Sequence, residues 1–509
     1  MRGRIGALVA MALAWAGTAA AADEAATSWQ ARIDGFFGSW VVEPLAAVLF
    51  FDLAFWDDPD TGVRLPFVVA WLVMGAITFT LRMSFVNLRG FAHAIRVTAG
   101  AYDNPDDPGE ISHFQALSSA LSATVGLGNI AGVAIAISQG GPGAVFWLWV
   151  AGFLGMSSKF VEVTLAQMYR RVSPDGIVSG GPMYYLRDGL AERGMAPLGT
   201  VLAYLFAILC VGGSLGGGNM FQAQQSYVAV AEQVPVLQDY PFVYGVLLAG
   251  VVALVILGGI KRIGFAASMV VPFMVGVYVL AAIAVLVMHA GQVPAAFAQI
   301  VGSAFSPDAA YGGALGVMVI GFQRAAFSNE AGVGSASIAH SAASTDQPVR
   351  EGVVALLEPF IDTIVVCTMT ALVVVVTGKY QETGMDGVLL TSESFRTVFE
   401  WFPVVLTLAV LLFAFSTMIS WSYYGDRATQ FLLGDRWVLP YRILFVCVVA
   451  LAPLLELGNV VGFSDLMILG MAFPNILGAL FLSGKVKAAL DRYWDDLGGG
   501  RMPERARHR

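Results

Sequence analysis

Apolar stretches long enough to cross a hydrocarbon core of ~30 Å as helices of about 20 residues recur along the whole chain. They occupy 66–86, 117–138, 143–169, 200–230, 243–260, 264–288, 311–338, 351–377, 404–425, 438–456 and 464–484, numbered below as the first to eleventh spans. The pattern predicts an all-α polytopic membrane protein with about 11 transmembrane helices. With 57% of its 509 residues hydrophobic and 13% charged, the chain has too little polar surface to cover a water-soluble globule. A formal net charge of -8 offers no basic stripe for nucleic acid. Cys210, Cys367 and Cys447 fall singly inside apolar runs, without a CxxC or a histidine at ligand spacing, and read as buried thiols. No nucleophile, base or metal constellation of an enzyme is visible.

Residues 1–22 have the layout of a cleavable secretory signal: Arg2 and Arg4, an apolar run from Ile5 to Trp15, then small residues ending in Ala20, Ala21 and Ala22. Residues 23–65 follow as a periplasmic segment. Within it, 35–56 is interrupted by Glu43, Pro44 and Asp52 and reads as an amphipathic helix on the outer surface. Cytoplasmic segments are enriched in Lys and Arg. With the mature N-terminus outside, the inner segments carry nineteen of these residues, and the outer ones hold only Arg32, Arg64, Lys379 and Arg396. The odd number of spans then puts the basic tail, 486–509, in the cytoplasm of a bacterial inner (plasma) membrane.

A membrane span must satisfy its own backbone, so glycine clusters and polar runs at mid-depth are tolerated only where the chain lines a cavity. The second span places Ser118, Ser119, Ser122 and Thr124 ahead of Gly126, Leu127, Gly128 and Asn129. The seventh places Gly321, Gln323, Arg324, Ser328, Asn329 and Glu330 ahead of Gly332 and Gly334. With 66–86 set aside as an extra helix, 117–290 and 311–485 form two five-helix repeats, each opened by a broken helix. The odd number of helices inverts the second copy. Matching interruptions in two halves point to a transporter's binding site. Packing through small faces accounts for Gly152, Gly155 and Gly212 to Gly218, but not for Asn129, Gln323, Arg324 and Glu330.

A broken helix offers amide N–H groups to an anion and carbonyls to a cation. A zwitterionic amino acid suits both without a buried side-chain ion pair. Gly126 and Gly128 would let the backbone approach a carboxylate, and Asn129 would add an amide donor. Sodium asks for hard oxygen ligands. Ser416, Thr417 and Ser420 in the ninth span, with carbonyls near Ala123 and Val125, supply such a set, although membrane hydroxyls often only bond back to their own helix.

Several long motifs occur in order over about 66–485. They are the run from Thr124 to Val133 (TVGLGNIAGV), Gly180 to Leu186 (GGPMYYL), Phe327 to Ser335 (FSNEAGVGS) and Ser416 to Gly425 (STMISWSYYG). In these the chain resembles the alanine or glycine:cation symporter family, which is similar in architecture to the leucine-transporter fold. The resemblance implies that Gly126, Gly128 and Asn129 bind the amino-acid backbone, that Asn219, Gln222 and Phe327 line the site with Gln222 in direct contact, and that Trp421 caps it. A bulky indole there is a physical reason to prefer a small side chain such as that of alanine or glycine. Thr417 would serve sodium or the pocket floor. Sodium is then a co-transported ion rather than a cofactor; the other partners are a small neutral amino acid and the lipid bilayer, and a monomer suffices.

Among the charges, Lys159 and Glu162 at i and i+3 are expected to pair. Arg324 and Glu330 are candidates for a gate, or Glu330 for a cap on the unwound backbone. Glu358 and Asp362, at i and i+4, are like charges that need a cation or a proton between them. They support the alternative of a proton-coupled amino-acid permease of the same fold. A channel or a non-transporting sensor is a further class; no appended signalling domain is visible.

Overall fold

The computed structural model describes residues 50–53 and 65–502, apart from 105, 175, 257–258, 307–312 and 383–384. The signal peptide and nearly all of the expected surface helix lie outside the described residues.

Helix occupies each of the eleven apolar windows. Among the described residues, seven helices are long and apolar enough to cross a membrane, and the bent pair His113–Thr124 and Gly128–Gly140 makes an eighth. Shorter helices fill the first, fifth and seventh windows: Phe67–Arg82, Pro241–Ile256 and Gly313–Asn329. At 1.5 Å per residue the 16 residues of Phe67–Arg82 cover about 24 Å, less than a typical hydrocarbon core.

The packing follows the repeat. The third span lies along the eighth, the fourth along the ninth and the fifth along the tenth, each against its own counterpart. The other contacts swap as a two-fold axis requires: the fourth span meets the eleventh as the ninth meets the sixth, and the second meets the sixth as the seventh meets the eleventh. This is a leucine-transporter-type 5+5 inverted repeat, with Phe67–Arg82 packed outside it on the third and eleventh spans.

Close approach of the broken helices depends on small residues in their neighbours. A Cβ on Gly155 would lie 2.7 Å from that of Ala331, and one on Gly152 2.7 Å from Thr363 Cγ2, so the third span seats the seventh and eighth directly on its backbone. The fourth span seats the eleventh at Gly212 and the ninth at Gly218 in the same way.

Two departures from expectation lie at the periphery. Cys210 and Cys367 are buried, but Cys447 is exposed on the tenth span, because it sits on that helix's outward face. The last helix, Leu457–Gly498, runs well past 484, and its end docks where Tyr493 Oη meets His93 Nε2 at 2.7 Å.

Candidate functional site

Both predicted interruptions are real breaks in the helices, and the one in the second span packs on the end of the helix that leads into the other. In the second span, Ser112 caps the helix start in a reciprocal box with Gln115. Helix His113–Thr124 ends at Val125 (ψ 81°), and the chain resumes in the π-helical turn Gly128–Gly132 and helix Val133–Gly140, bent by 53°. Two break amides are taken up by side chains. Leu127 N–H, which would otherwise close a helical bond to Ala123, donates to Gln222 Oε1 at 3.1 Å, and Gly126 N–H donates to Asn129 Oδ1 at 2.9 Å.

The break in the seventh span starts later than expected. Helix Gly313–Asn329 passes unbroken through Gln323 and Arg324, and the chain unwinds only at Glu330. Gly332 (φ 85°) and Gly334 (φ 95°) adopt a backbone conformation that glycine takes without steric cost. Glu330 adopts it too (φ 56°), which for a residue with a Cβ needs outside support. That support is visible: Trp421 Nε1 donates to Glu330 Oε1 at 2.9 Å, and Ser335 Oγ donates to Oε2. The expected cap on the unwound backbone is supplied by Glu162, whose Oε1 accepts from Gly332 N–H at 2.6 Å. Glu162 therefore makes no hydrogen bond to Lys159, which stands close enough to share its field but reaches across to Glu358 Oε1 at 2.9 Å. In a low-dielectric interior the pairing that leaves fewest groups orphaned wins over sequence proximity.

Asp362 joins the breaks from the eighth span. It accepts from Asn129 Nδ2 at 2.6 Å on one oxygen and from Ser328 Oγ at 2.9 Å on the other. Glu358 and Asp362 thus need no cation between them: a π-helical stretch, Phe360–Cys367, changes their angular offset, and each finds its own donors. Where the second-span break meets the last helical turn of the seventh span, a Cβ on Gly128 would sit 3.3 Å from Ser328 Cα and 3.5 Å from Phe327 Cδ1. One on Gly126 would sit 2.4 Å from Thr417 Oγ1 and 3.2 Å from Gln222 Oε1.

The residues read from sequence as a sodium set divide. Ser416 Oγ bonds back to Phe413 O at 3.0 Å, leaving only its carbonyl, which accepts from Ser122 Oγ at 2.8 Å. Thr417 Oγ1 and Ser420 Oγ are buried and have no hydrogen-bond partner, an unusual state for hydroxyls that can rotate to find one. Thr417 is also the side chain closest to Gly126.

Residues 55–506 match the family model described as the sodium:alanine symporter family. The chain belongs to that family. It is a multi-pass membrane transporter of the sodium-coupled amino-acid symport class, not an enzyme. Similar relatives include the sodium/alanine symporter AgcS of Methanococcus maripaludis, 41% identical over 83% of this chain and 92% of that protein. The probable sodium/glutamine symporter GlnT of Bacillus subtilis is 34% identical over 86% and 89%. Among solved structures, a crystal structure of MhsT in complex with L-phenylalanine aligns with 74% of this chain and 98% of its own at a TM-score of 0.47 and 14% identity.

In this symporter the central residues Asn129, Gln222, Phe327, Thr417 and Trp421 are all buried. Gln222 spans the gap with both ends engaged, its Nε2 donating to Gly217 O at 2.9 Å. Asn129 is likewise engaged at both ends, toward Gly126 and Asp362. Asn219 turns away, donating to Phe445 O of the tenth span at 2.8 Å, because its helix presents that face outward from the breaks. Arg324, whose guanidinium lies over the Phe327 ring at 5.4 Å, pairs with Asp465 of the eleventh span, which also accepts from Gln323 Nε2 at 2.8 Å. Sequence reasoning passed over Ser328 as a partner and Asp465 altogether. An acidic residue inside an apolar window is a signal for the second; no sequence signal points to the first.

Proposed function

We propose that this protein imports a small neutral amino acid, alanine or glycine, across a bacterial inner membrane with sodium, its mature N-terminus periplasmic, its C-terminus cytoplasmic and one copy sufficient. The observation that carries the reading is the opening in the second span at Val125 to Leu127, directly opposite Thr417, whose hydroxyl, like that of Ser420 on the same helix, is buried without a partner. Sodium bound between the carbonyls of Ala123 and Val125 and those hydroxyls would satisfy the buried oxygens and fix the bend. A substrate carboxylate would then take over the break amides that Gln222 and Asn129 now hold, with Gly126 and Gly128 permitting its approach. Because both ligands stabilise the same bent helix, each raises the affinity of the other.

Phe327 against Gly128 and Trp421 pinned to Glu330 leave little room for a side chain, which favours alanine or glycine over a longer substrate. Phe221 stacks edge-on to Phe327 at 5.1 Å and holds it in place.

The test is uptake of labelled alanine into proteoliposomes, with sodium and proton gradients imposed separately and unlabelled amino acids as competitors. Uptake driven by sodium alone is expected; uptake indifferent to sodium removal sinks the reading. Thr417→Val, which keeps the shape and deletes the hydroxyl, is expected to raise the sodium concentration for half-maximal uptake ~10-fold or more, the loss of about one strong ligand bond. The corresponding Ser416→Ala change should alter it less than about threefold, since that hydroxyl is already spent on Phe413.

A further inference from the structure

A buried chain of ionisable side chains runs from the inner end of the second span to the break in the seventh. His113, the first residue of its helix, meets Glu351 Oε2 through Nδ1. The other oxygen of Glu351 meets His340 Nδ1 at 2.6 Å. His340 Nε2 stands 3.5 Å from Glu358 Oε2, and Glu358 Oε1 meets Lys159 Nζ at 2.9 Å. Close to Lys159 on the third span, Glu162 holds Gly332 N–H, and Glu330 holds the indole of Trp421. All seven residues are at most 2% exposed. His113 lies at the membrane face that the Lys and Arg bias assigns to the cytoplasm.

The charges in this chain do not balance. Five carboxylates, Glu162, Glu330, Glu351, Glu358 and, beside Glu358, Asp362, face one lysine, Lys159, and at the rim one guanidinium, that of Arg170, which Asp107 also faces. The difference of five and two leaves three negative charges, which protons on His113, His340 or the carboxylates can neutralise. Buried charge without a counter-charge is expensive, and proteins remove it by taking up protons. A separate observation agrees: Glu162 Oε2, the far nitrogen of His113 and the hydroxyl of Tyr424, all buried, have no hydrogen-bond partner, and neither have His340 Nε2 and Glu358 Oε2, which stand 3.5 Å apart. The other groups facing the chain are Tyr185, whose hydroxyl bonds Asn475; Cys210, whose thiol points to Tyr424 O; and Asp362, already served by Asn129, Ser328 and Thr363.

We propose that this chain is a proton-binding relay opening to the cytoplasm, and that its proton content changes when sodium and amino acid load the breaks. An imidazole set between carboxylates can accept on one nitrogen and release from the other. A proton arriving at His113 Nε2 releases the Nδ1 proton to Glu351 Oε2; Glu351, as the neutral acid, gives the proton on Oε1 to His340 Nδ1, and His340 gives its Nε2 proton to Glu358 Oε2. One proton enters, one is delivered, and each group between keeps its proton count, with both imidazoles left as the other tautomer. The link to transport is direct, because the break is held by Glu162 through Gly332 and by Glu330 through Trp421. A ligand that reshapes the break alters those carboxylates' partners and hence their protons, and the coupling is reciprocal.

The inference rests on the symport reading, and the experiment separates the two. Purified full-length protein in weakly buffered detergent solution, with a pH-sensitive dye, receives saturating sodium and alanine. A stoichiometric fraction of a proton per protein is expected to be released or taken up, and His340→Gln is expected to abolish most of it. In proteoliposomes under a fixed sodium gradient and fixed outside pH, uptake is expected to change at least about threefold as lumen pH moves from ~6 to ~9, and to flatten in His340→Gln. Should His340→Gln not give monodisperse protein, His113→Gln at the other end of the relay serves instead. Normal sodium-driven uptake with no proton change in the wild-type protein overturns the relay and leaves the symport reading intact. Proton change and lumen-pH dependence that persist in a folded relay variant overturn it equally. Absence of any sodium-driven uptake defeats the symport reading itself.

Discussion

Gly126→Ala is expected to lower sodium-driven uptake by ~10- to 100-fold, whereas Gly132→Ala, six residues along the same span, should leave it within about twofold. The contrast is geometric. A methyl at Gly126 would be built 2.4 Å from Thr417 Oγ1, and the short, stiff threonine side chain cannot retreat without moving the ninth span. A methyl at Gly132 meets nothing within 4 Å. Overpacking a close-packed interior costs about 1–3 kcal/mol, and here the displacement opens the pair of elements proposed to hold sodium. The measurement is initial uptake rate across a range of sodium concentrations, normalised to folded protein. Equal losses for the two variants would show that the span is merely intolerant of bulk, and the proposed site would lose its main support.

The second large effect is expected at Lys159. Lys159→Met keeps the length of the side chain and removes the charge, leaving Glu358 with the His340 imidazole 3.5 Å away as its nearest remaining partner, and Glu162 and Glu330 nearby with no compensating ammonium. Breaking a buried pair from one side costs about 3–5 kcal/mol, because an uncompensated charge stays buried. The yield of monodisperse protein and its thermal midpoint in detergent should fall sharply. Lys159→Met with Glu358→Gln should recover a substantial part of the loss, since replacing both partners by neutral groups is far less costly than orphaning one. A double variant no better than the single would mean that Glu358 is not the partner that matters. The two experiments are independent, because Gly126 and Lys159 share no contact and report on different elements.

The expected pairing of Lys159 with Glu162 shows why charge contacts were poorly legible. Spacing of three on a helix permits that contact, but Lys159 finds Glu358 and Glu162 finds an unwound amide, both on other helices. The glycine-based expectations fared better. Gly332 and Gly334 mark the break in the seventh span because the unwound backbone there takes a conformation that glycine tolerates, and Gly126 and Gly128 mark the one in the second because neighbouring helices approach where a Cβ would stand. Gln323 and Arg324 misled the start of the second break. Polar residues in an apolar window signal a buried partner, here Asp465, and not necessarily an unwound backbone.

Membrane class, spans, inverted repeat and the two breaks were determined by the sequence alone, since the bilayer imposes hydropathy over about 20 residues and makes every unsatisfied backbone group costly. Which side chains occupy the break amides, that Asn219 turns away while Asp362 joins both breaks, and that seven ionisable groups align into one buried chain were decided only by the tertiary structure. Each of those outcomes depends on distances between helices far apart in the chain. In a medium without water, a polar group bonds to whichever partner the packing brings within about 3 Å, and no local pattern encodes that choice.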